Sequence, residues 1–349
     1  MSSHVKVAVL GASGYSGIEL LRLLLRHPNV EIVAVTSRTL VGKALSAEFP
    51  RFRGVGVADA LTFTNTDAAG LKAAGAEIAF LALPHGVSAE YAGPLLELGI
   101  KVIDLSADFR LRSAAVYQEF YAHAHPAPEL LAEAVYALPE VRADAIKRAR
   151  LIACPGCYPT SILLPLIPLY KAGLLADAPL AVSSMSGASG AGRSASVPLL
   201  FCEVQNSVRS YSLPQHRHLS EVGQELSLAA GFEVRLSFVP HLVPAHSGIC
   251  TTIFATPAAG ADIGQVEAAL HAAYDAQPFV RPLGCNVSPD TKHVMGTNFV
   301  DIGWAFDARA GRLILLSAED NIGKGASGQA VQNMNLVCGF APDAGLLNV

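Results

Sequence analysis

Along the first part of the chain, short apolar runs alternate with a longer stretch in which apolar residues recur every three or four positions. VKVAVL (5–10), EIVAVT (31–36), EIAFLAL (77–83) and KVIDLS (101–106) are continuous enough to be buried strands. GIELLRLLLRH (17–27) has the period of an amphipathic helix. Strands that alternate with helices predict parallel βαβ units, so we expect a Rossmann-type α/β domain with a parallel sheet here.

The pattern changes after residue 151, where strand-like runs dominate and helical stretches are few. These runs are APLAVSSM, EVRLSFV, GICTTIFAT, NFVDIGWAF and RLILLSA. The last stretch, GKGASGQAVQNMNLVCGF (323–340), has helical character again. The second half is therefore expected to form an α+β domain with a mixed or antiparallel sheet.

Composition and charge exclude several classes of protein. A chain of 349 residues that is 51% hydrophobic can build the cores of about two domains. The net charge of -4, without a basic tract, argues against a nucleic-acid partner, and no apolar run reaches the roughly 18 residues of a membrane span. The chain enters a strand almost at once, which leaves no room for a signal peptide. Because six cysteines are also too few for a disulfide framework, we expect a cytoplasmic enzyme with reduced thiols.

A glycine-rich turn follows the first strand and opens the first helix. It carries Gly11, Gly14 and Gly17 in VAVLGASGYSG. Such a turn lets the backbone approach a phosphate, and the helix N-terminus supplies amides and the positive end of a dipole. The alternative is a tight turn without a ligand, but the strand–turn–helix context favours a dinucleotide site.

The end of the second strand indicates which dinucleotide binds. NAD enzymes usually carry an acidic residue there, which binds the ribose hydroxyls. This chain has Thr36, Ser37 and Arg38 instead. Hydroxyl groups and a guanidinium suit a 2′-phosphate, so the sequence favours NADP(H).

A second candidate site is the cysteine in ACPGCYPT (153–160), between a predicted strand and a helix expected to begin near Pro159. At a helix N-terminus the dipole and free amides lower a thiol's pKa and can hold an oxyanion, so Cys157 is a candidate nucleophile. The C-x-x-C spacing with Cys154 leaves a zinc site or a thioredoxin-like dithiol as alternatives. The ordinary role of an intracellular cysteine is a small buried hydrophobe. We interpret the remaining four in that way: Cys202, Cys250, Cys285 and Cys338.

A thiol nucleophile needs a base, and two histidines stand together in QHRHLSEVGQEL. His216 and His218 flank Arg217 directly before a predicted helix. One imidazole can act as a general acid/base while the arginine or the other histidine binds an anion.

With these residues in place, the chain resembles the N-acetyl-gamma-glutamyl-phosphate reductases of arginine biosynthesis, relatives of aspartate-semialdehyde dehydrogenase. The resemblance runs nearly end to end. The motifs that carry it are GASGYSG, LALPHG, DLSADFRL, PGCYPT, SGASGAGR, HRH, GTNFVDIG and DNIGKGASGQAVQNMN. The combination of PGCYPT with SADFR is specific to this family.

The resemblance implies roles for individual residues. Cys157 matches the nucleophile that forms a thioester, and His218 matches the acid/base. The positions expected to bind the substrate's phosphate and carboxylate are Arg110, Arg193, His216 and Arg217. The positions expected to bind the cofactor are Gly11, Ser13, Gly14, Tyr15, Ser16, Gly17, Ser37, Arg38, Leu83, Pro84, Ser189, Gly190 and Asn321. The implied substrate is a small acyl phosphate, and no metal is implied.

The resemblance also implies a domain division. The C-terminal helix of the family packs back on the cofactor domain and brings Asn321 near the nicotinamide. We therefore expect residues 1–150 with 324–349 to form the NADP-binding domain and residues 151–323 to form the catalytic and dimerisation domain. A homodimer or homotetramer is expected.

One residue departs from the family pattern, because Cys154 stands where the family commonly has Asn. A second thiol three residues from the nucleophile suggests that the two could form a reversible disulfide after oxidation. Three alternative functions remain open at this point: an acyl-phosphate reductase of lysine or aspartate metabolism, a thiol-disulfide oxidoreductase, and a non-catalytic NADP-binding sensor. The PGCYPT motif favours the arginine pathway over the lysine one.

Overall fold

The computed structural model describes residues 4–347. The chain divides into two compact units. The first contains the residues up to Pro155 and those from Ala326 onwards, and the second runs from Gly156 to Gly325. The C-terminal helix thus belongs to the same unit as the N-terminal half of the chain.

The first unit is built on a seven-stranded sheet in which all paired strands are parallel. Its strands are β1 (Val5–Leu10), β2 (Val30–Thr36), β3 (Phe63–Thr64), β4 (Ile78–Leu81), β5 (Lys101–Asp104), β6 (Val135–Tyr136) and β7 (Leu151–Ala153). Its helices are α1 (Tyr15–Leu24), α2 (Leu45–Glu48), α3 (Ala68–Ala73), α4 (Ser88–Glu97), α5 (Ala114–Tyr121), α6 (Pro139–Arg148) and α11 (Gly328–Cys338), where labels follow chain order. The order β3-β2-β1-β4-β5-β7-β6 confirms the predicted Rossmann-type sheet.

The central strands of this sheet are buried on both faces. Val7, Ala8 and Val9 are fully inaccessible to solvent, although their side chains point alternately to opposite faces. Continuous apolar runs are typical of parallel strands covered by helices on both sides. The strand order reverses between β1 and β4, and in sheets of this kind ligands bind at the carboxyl ends of the strands at that point.

The second unit contains a mixed seven-stranded sheet, as the sequence predicted. Its strands are β8 (Leu180–Ser186), β9 (Arg209–Ser210), β10 (Leu236–Leu242), β11 (Ile249–Ala255), β12 (Val280–Cys285), β13 (Val300–Asp307) and β14 (Arg312–Glu319). Its helices are α7 (Cys157–Lys171), α8 (Phe201–Val204), α9 (His218–Ala230) and α10 (Ile263–Tyr274). In the order β12-β13-β14-β11-β8-β10-β9, two strand pairs are parallel and four are antiparallel.

The core of the second unit lies between one face of this sheet and its helices. Helix α7 contacts β11 and β14 and lies beside α9 and α10. Ile253, Trp304 and Leu315 fill the space on the sheet side and are fully buried. Among the helices of residues 4–347, none is long and apolar enough to cross a membrane.

Candidate active site

The glycine-rich turn between β1 and α1 has no room for a side chain at Gly11 or at Gly17. A Cβ at Gly11, whose φ is +76°, would lie 2.3 Å from the carbonyl oxygen of Ala82, and one at Gly17 would lie 2.5 Å from that of Gly11. Gly14 is the N-cap of α1 and, as a glycine, has no side chain that could accept the first N–H groups of the helix. The turn therefore presents backbone amides at the start of α1, which is the geometry that accepts a pyrophosphate.

Residues from two other strand ends lie beside this turn. The Ser13 and Ser37 hydroxyls are 3.1 Å apart, so the turn is linked to the end of β2. Leu83, which follows β4, would be 3.1 Å from a Cβ at Gly11. Arg38 is exposed. The structure thus brings together residues from three separate motifs, and their role in cofactor binding stays a prediction.

The other predicted cofactor residues are placed as follows. Tyr15 and Ser16 begin α1 and are half-buried, and the exposed Pro84 follows Leu83. Ser189, Gly190 and Asn321 form their own group in the second unit. The Asn321 amide donates to the Ser189 hydroxyl at 3.0 Å and accepts from the Gly248 N–H at 2.8 Å.

Cys157 is the first residue of α7, and Gly156 is its N-cap. The helix begins two residues earlier than the sequence predicted, so Pro159 lies inside its first turn rather than at its start. The thiol is half-buried. Its position at a helix N-terminus places the positive end of the helix dipole near the thiol.

Helix α9 carries the histidines. It begins at His218, whose N–H donates to Nδ1 of His216 at 3.1 Å. Burial, with a smaller effect of the neighbouring Arg217 charge, lowers the pKa of His216 to about 4. His216 is therefore neutral near pH 7 and serves as a hydrogen-bonding cap for α9. The substrate-binding role that the sequence suggested for His216 stays a prediction, and these contacts favour a positioning role.

Glu221, which sequence reasoning missed, connects the helix of the cysteine to the helix of the histidine. It is 1% exposed. One carboxylate oxygen accepts the Gly156 N–H at 3.2 Å, and the other lies 3.9 Å from Nε2 of His218. A carboxylate beside an imidazole can orient the ring. The only sequence signal was an acidic residue one turn after His218.

Two buried tyrosines complete this group. The Tyr158 ring packs against His216 and His218 with centroids 5.4 and 5.9 Å apart. Its hydroxyl is 2.7 Å from that of Tyr211. Burial raises the pKa of Tyr158 and raises that of Tyr211 to about 12, and in both cases a nearby Cys157 thiolate contributes. Both phenols are neutral hydrogen-bonding groups close to the cysteine.

The three predicted arginines are divided between the two units. Arg110 belongs to the first unit, where it is buried and donates through Nε to the carbonyl oxygen of Cys154 at 2.7 Å and through Nη2 to that of Leu105 at 3.0 Å. Arg193 and Arg217 belong to the second unit and are exposed. These contacts of Arg110 support the backbone before Cys157, and its role in substrate binding stays a prediction.

The environment of Cys154 bears on the disulfide hypothesis. The side chain is 1% exposed, and its sulfur accepts a long hydrogen bond of 3.6 Å from the Asn333 amide. Burial raises the pKa of the Cys154 thiol to about 12. A buried, protonated thiol is a poor partner in disulfide exchange, so these observations weigh against a redox role.

Among residues 4–347, no group of three or more His, Cys, Asp or Glu side chains is arranged to hold a metal ion.

Two family models match successive parts of the chain. A family model described as semialdehyde dehydrogenase, NAD binding domain, matches residues 6–149. Another, described as semialdehyde dehydrogenase, dimerisation domain, matches residues 157–321. An N-acetyl-gamma-glutamyl-phosphate reductase from Akkermansia muciniphila is 58% identical over 98% of this chain and 99% of its own length. One from Desulfotalea psychrophila is 47% identical over 98% of both chains.

Solved structures show the same fold. An aspartate semialdehyde dehydrogenase II from Vibrio cholerae aligns with a TM-score of 0.72 at 20% identity, and covers 97% of this chain and 99% of its own. An aspartate semialdehyde dehydrogenase with NADP from Candida albicans aligns with a TM-score of 0.70 at 16% identity. The alignment covers 96% of this chain and 99% of the Candida albicans chain.

Proposed function

The chain belongs to the N-acetyl-gamma-glutamyl-phosphate reductase family, and we propose that it reduces N-acetyl-gamma-glutamyl phosphate to N-acetylglutamate semialdehyde with release of phosphate. The observation that carries this proposal is the position of Cys157 at the N-terminus of α7, with Glu221 between that terminus and His218. The 58% identity of a full-length relative with that name supports the choice of substrate.

The residues of the second unit support an acyl transfer to sulfur. The Cys157 thiolate attacks the acyl carbon, and phosphate leaves with the electrons of the carbon–oxygen bond. The amides at the start of α7 stabilise both the thiolate and the oxyanion that forms on the carbonyl. His218 takes up the thiol proton and later protonates the thiohemiacetal oxygen or the departing sulfur. The Glu221 carboxylate holds the ring of His218 in place while it does so.

The first unit fits a dinucleotide. Glycine at positions 11 and 17 allows the close backbone packing of this turn, and no side chain at Gly14 covers the amides at the start of α1, where we place the pyrophosphate. The cofactor that we propose is NADPH, which supplies a hydride to the thioester carbonyl carbon when it is bound. Ser37 and Arg38 would hold its 2′-phosphate.

Cofactor choice gives a testable prediction. We expect the enzyme to prefer NADPH to NADH, and Arg38→Ala to weaken NADPH binding about ten- to a hundredfold while NADH binding stays unchanged. A charge-assisted hydrogen bond of about 1.5–3 kcal/mol is lost only with the phosphorylated cofactor. Fluorescence titration of both cofactors measures this, and Arg51→Ala, at an exposed arginine of the same unit, is the control. Equal use of both cofactors by the unmodified enzyme would contradict the assignment.

The outer face of the mixed sheet supports self-association. Its centre is apolar: Met185 on β8 is 48% exposed, Phe254 on β11 is 40% exposed, and Ile314 and Leu316 on β14 are half-buried. Residues 157–321 match the dimerisation-domain model. We propose that two copies pair through this face to form a homodimer, from which a tetramer would need a further surface.

Disruption of this face gives a further prediction. Phe254→Glu is expected to produce monomers, because an uncompensated buried carboxylate costs about 3–5 kcal/mol, which is more than about a hundredfold in Kd. Sedimentation velocity across a concentration series measures the change. Phe306→Glu, at an exposed aromatic residue near the end of β13, is the matched control and should leave the assembly intact. If Phe254→Glu remains as large as the unmodified protein, this face is not the interface.

The buried state of Cys154 leads to a prediction about oxidation. Cys154→Asn should retain the reductase activity of the unmodified enzyme within about a factor of three, and both should lose and regain activity alike after peroxide and thiol reductant. The reason is that a protonated buried thiol does not capture a sulfenic acid. Activity after each treatment is the measurement. A clear loss of recovery in Cys154→Asn alone would restore the disulfide hypothesis. A loss of turnover in Cys154→Asn would favour a thiol-disulfide oxidoreductase.

The function itself is tested in the reverse direction. The semialdehyde, phosphate and NADP⁺ should together give NADPH, and omission of phosphate should stop the reaction. A carrier-protein-linked analogue and aspartate semialdehyde are the competing substrates. A dinucleotide-binding sensor would bind NADP(H) without turnover.

Because six free thiols fit a reducing compartment, the cytoplasm is the location that we propose.

A further inference from the structure

The chain after β14 is held rigidly beside the nucleophile. The Asp320 carboxylate accepts the N–H groups of Gly296 at 2.7 Å and Ile322 at 2.9 Å. The Asp320 carbonyl oxygen accepts the Gly325 N–H at 2.9 Å. These three hydrogen bonds fix the position of Gly325.

Gly325 in turn lies directly against Cys157. A Cβ at Gly325 would be 2.8 Å from Cβ of Cys157 and 2.9 Å from Oε1 of Glu319. Since both atoms lie within 3 Å of the same point, the Glu319 carboxylate and the carbon that bears the thiol are neighbours. Only glycine allows this approach.

Glu319 is an unusual residue to find there. It ends β14 in the middle of the sheet, where its backbone pairs with Ile249 on one side and Val300 on the other. Its side chain is 0% exposed. A buried carboxylate interacts with a nearby charge more strongly than a surface carboxylate does, because little water screens it. The mechanism derived above does not use Glu319.

We propose that Glu319 is ionised in the free enzyme and is a positioning residue that controls the ionisation of the Cys157 thiol. Its negative charge disfavours the thiolate but does not affect the neutral thioester. When sulfur bonds to the acyl carbon and phosphate leaves, the repulsion between carboxylate and thiolate is relieved, so Glu319 favours the acylated enzyme. The inference rests on Cys157 being the nucleophile of the proposed function.

Other titratable groups belong to the segments that pack near Cys157, and their charges either favour or disfavour the thiolate. They come from α7, from the segment before α9, from α9 itself and from the segment after β14: Tyr158; Tyr211 and Arg217; His218 and Glu221; Asp320 and Lys324. Lys324 is buried and its Nζ lies 5.9 Å from the centre of the Phe279 ring. All of these groups are retained when Glu319 alone is changed, so a difference in titration reports on Glu319.

The test is the pH dependence of alkylation. Iodoacetamide reacts with the thiolate, and mass spectrometry of the Cys157 peptide gives the rate at each pH without any turnover. The midpoint is the pH at which the alkylation rate of Cys157 reaches half of its maximum. In Glu319→Gln this midpoint is expected to move down by about one to two pH units, because a nearby like charge disfavours ionisation of the thiol by that order. One pH unit below the original midpoint, the smaller shift corresponds to about a fivefold faster reaction.

Three further variants keep the test decisive. Glu319→Leu removes the charge with an apolar residue of similar size, and serves if the amide is not accommodated in the fold. Glu319→Asp keeps the charge and should keep the midpoint near its original value. Glu225→Gln, at another buried carboxylate of the second unit, is the matched control. An unchanged midpoint in folded Glu319→Gln or Glu319→Leu would overturn the proposal and leave the role of Cys157 intact.

Discussion

Replacement of Cys157 by serine is expected to abolish phosphate-dependent reduction, with a fall in rate of about 10⁴-fold or more. The amides at the start of α7 can stabilise a thiolate at neutral pH, but a serine hydroxyl stays protonated there and cannot form the acyl-enzyme at a useful rate. The measurement is NADPH consumption with the acyl phosphate as substrate.

The same variant should still fold and bind NADPH, because serine is accepted at the start of a helix. Cys285→Ser is the matched control: it changes another half-buried cysteine of the second unit and should keep most of the activity. Retention of substantial reductase activity by Cys157→Ser would mean that the reaction does not pass through a thioester on this residue.

Replacement of His218 by asparagine is expected to slow turnover by about 10²–10⁴-fold, the usual effect of losing a positioned acid/base group. His216→Asn should cost far less. An asparagine oxygen can still accept the His218 N–H, and His216, with its pKa lowered to about 4, is neutral near pH 7 and only a weak base. Single-turnover rates of the two variants compare the two histidines directly.

Glu221→Gln extends this comparison. The amide can still accept the Gly156 N–H but removes the negative charge beside His218, so an effect between those of the two histidine variants is expected. A larger loss in His216→Asn than in His218→Asn would show that the acid/base role belongs to His216.

The sequence by itself determined the architecture and the location of both candidate sites. Apolar runs of strand length and a helical period near 3.6 residues are local properties, so they predicted the parallel sheet of the first unit and the mixed sheet of the second. The positive φ of Gly11, the need for glycine at Gly17 and the helix start at Cys157 are also local, because turn and cap chemistry depends on neighbouring residues.

Only the tertiary structure decided which side chains surround Cys157. Glu221 is 65 positions from the Gly156 amide that it accepts, and Tyr158 is 53 positions from Tyr211. The same is true of Glu319, which the sequence left as one more residue near the end of a strand. In the first unit, only the structure shows that the Arg110 guanidinium donates to the backbone carbonyl of Cys154. A local pattern says whether a residue is buried, but its partner depends on how distant strands and helices pack, and that packing sets the charge around the thiol.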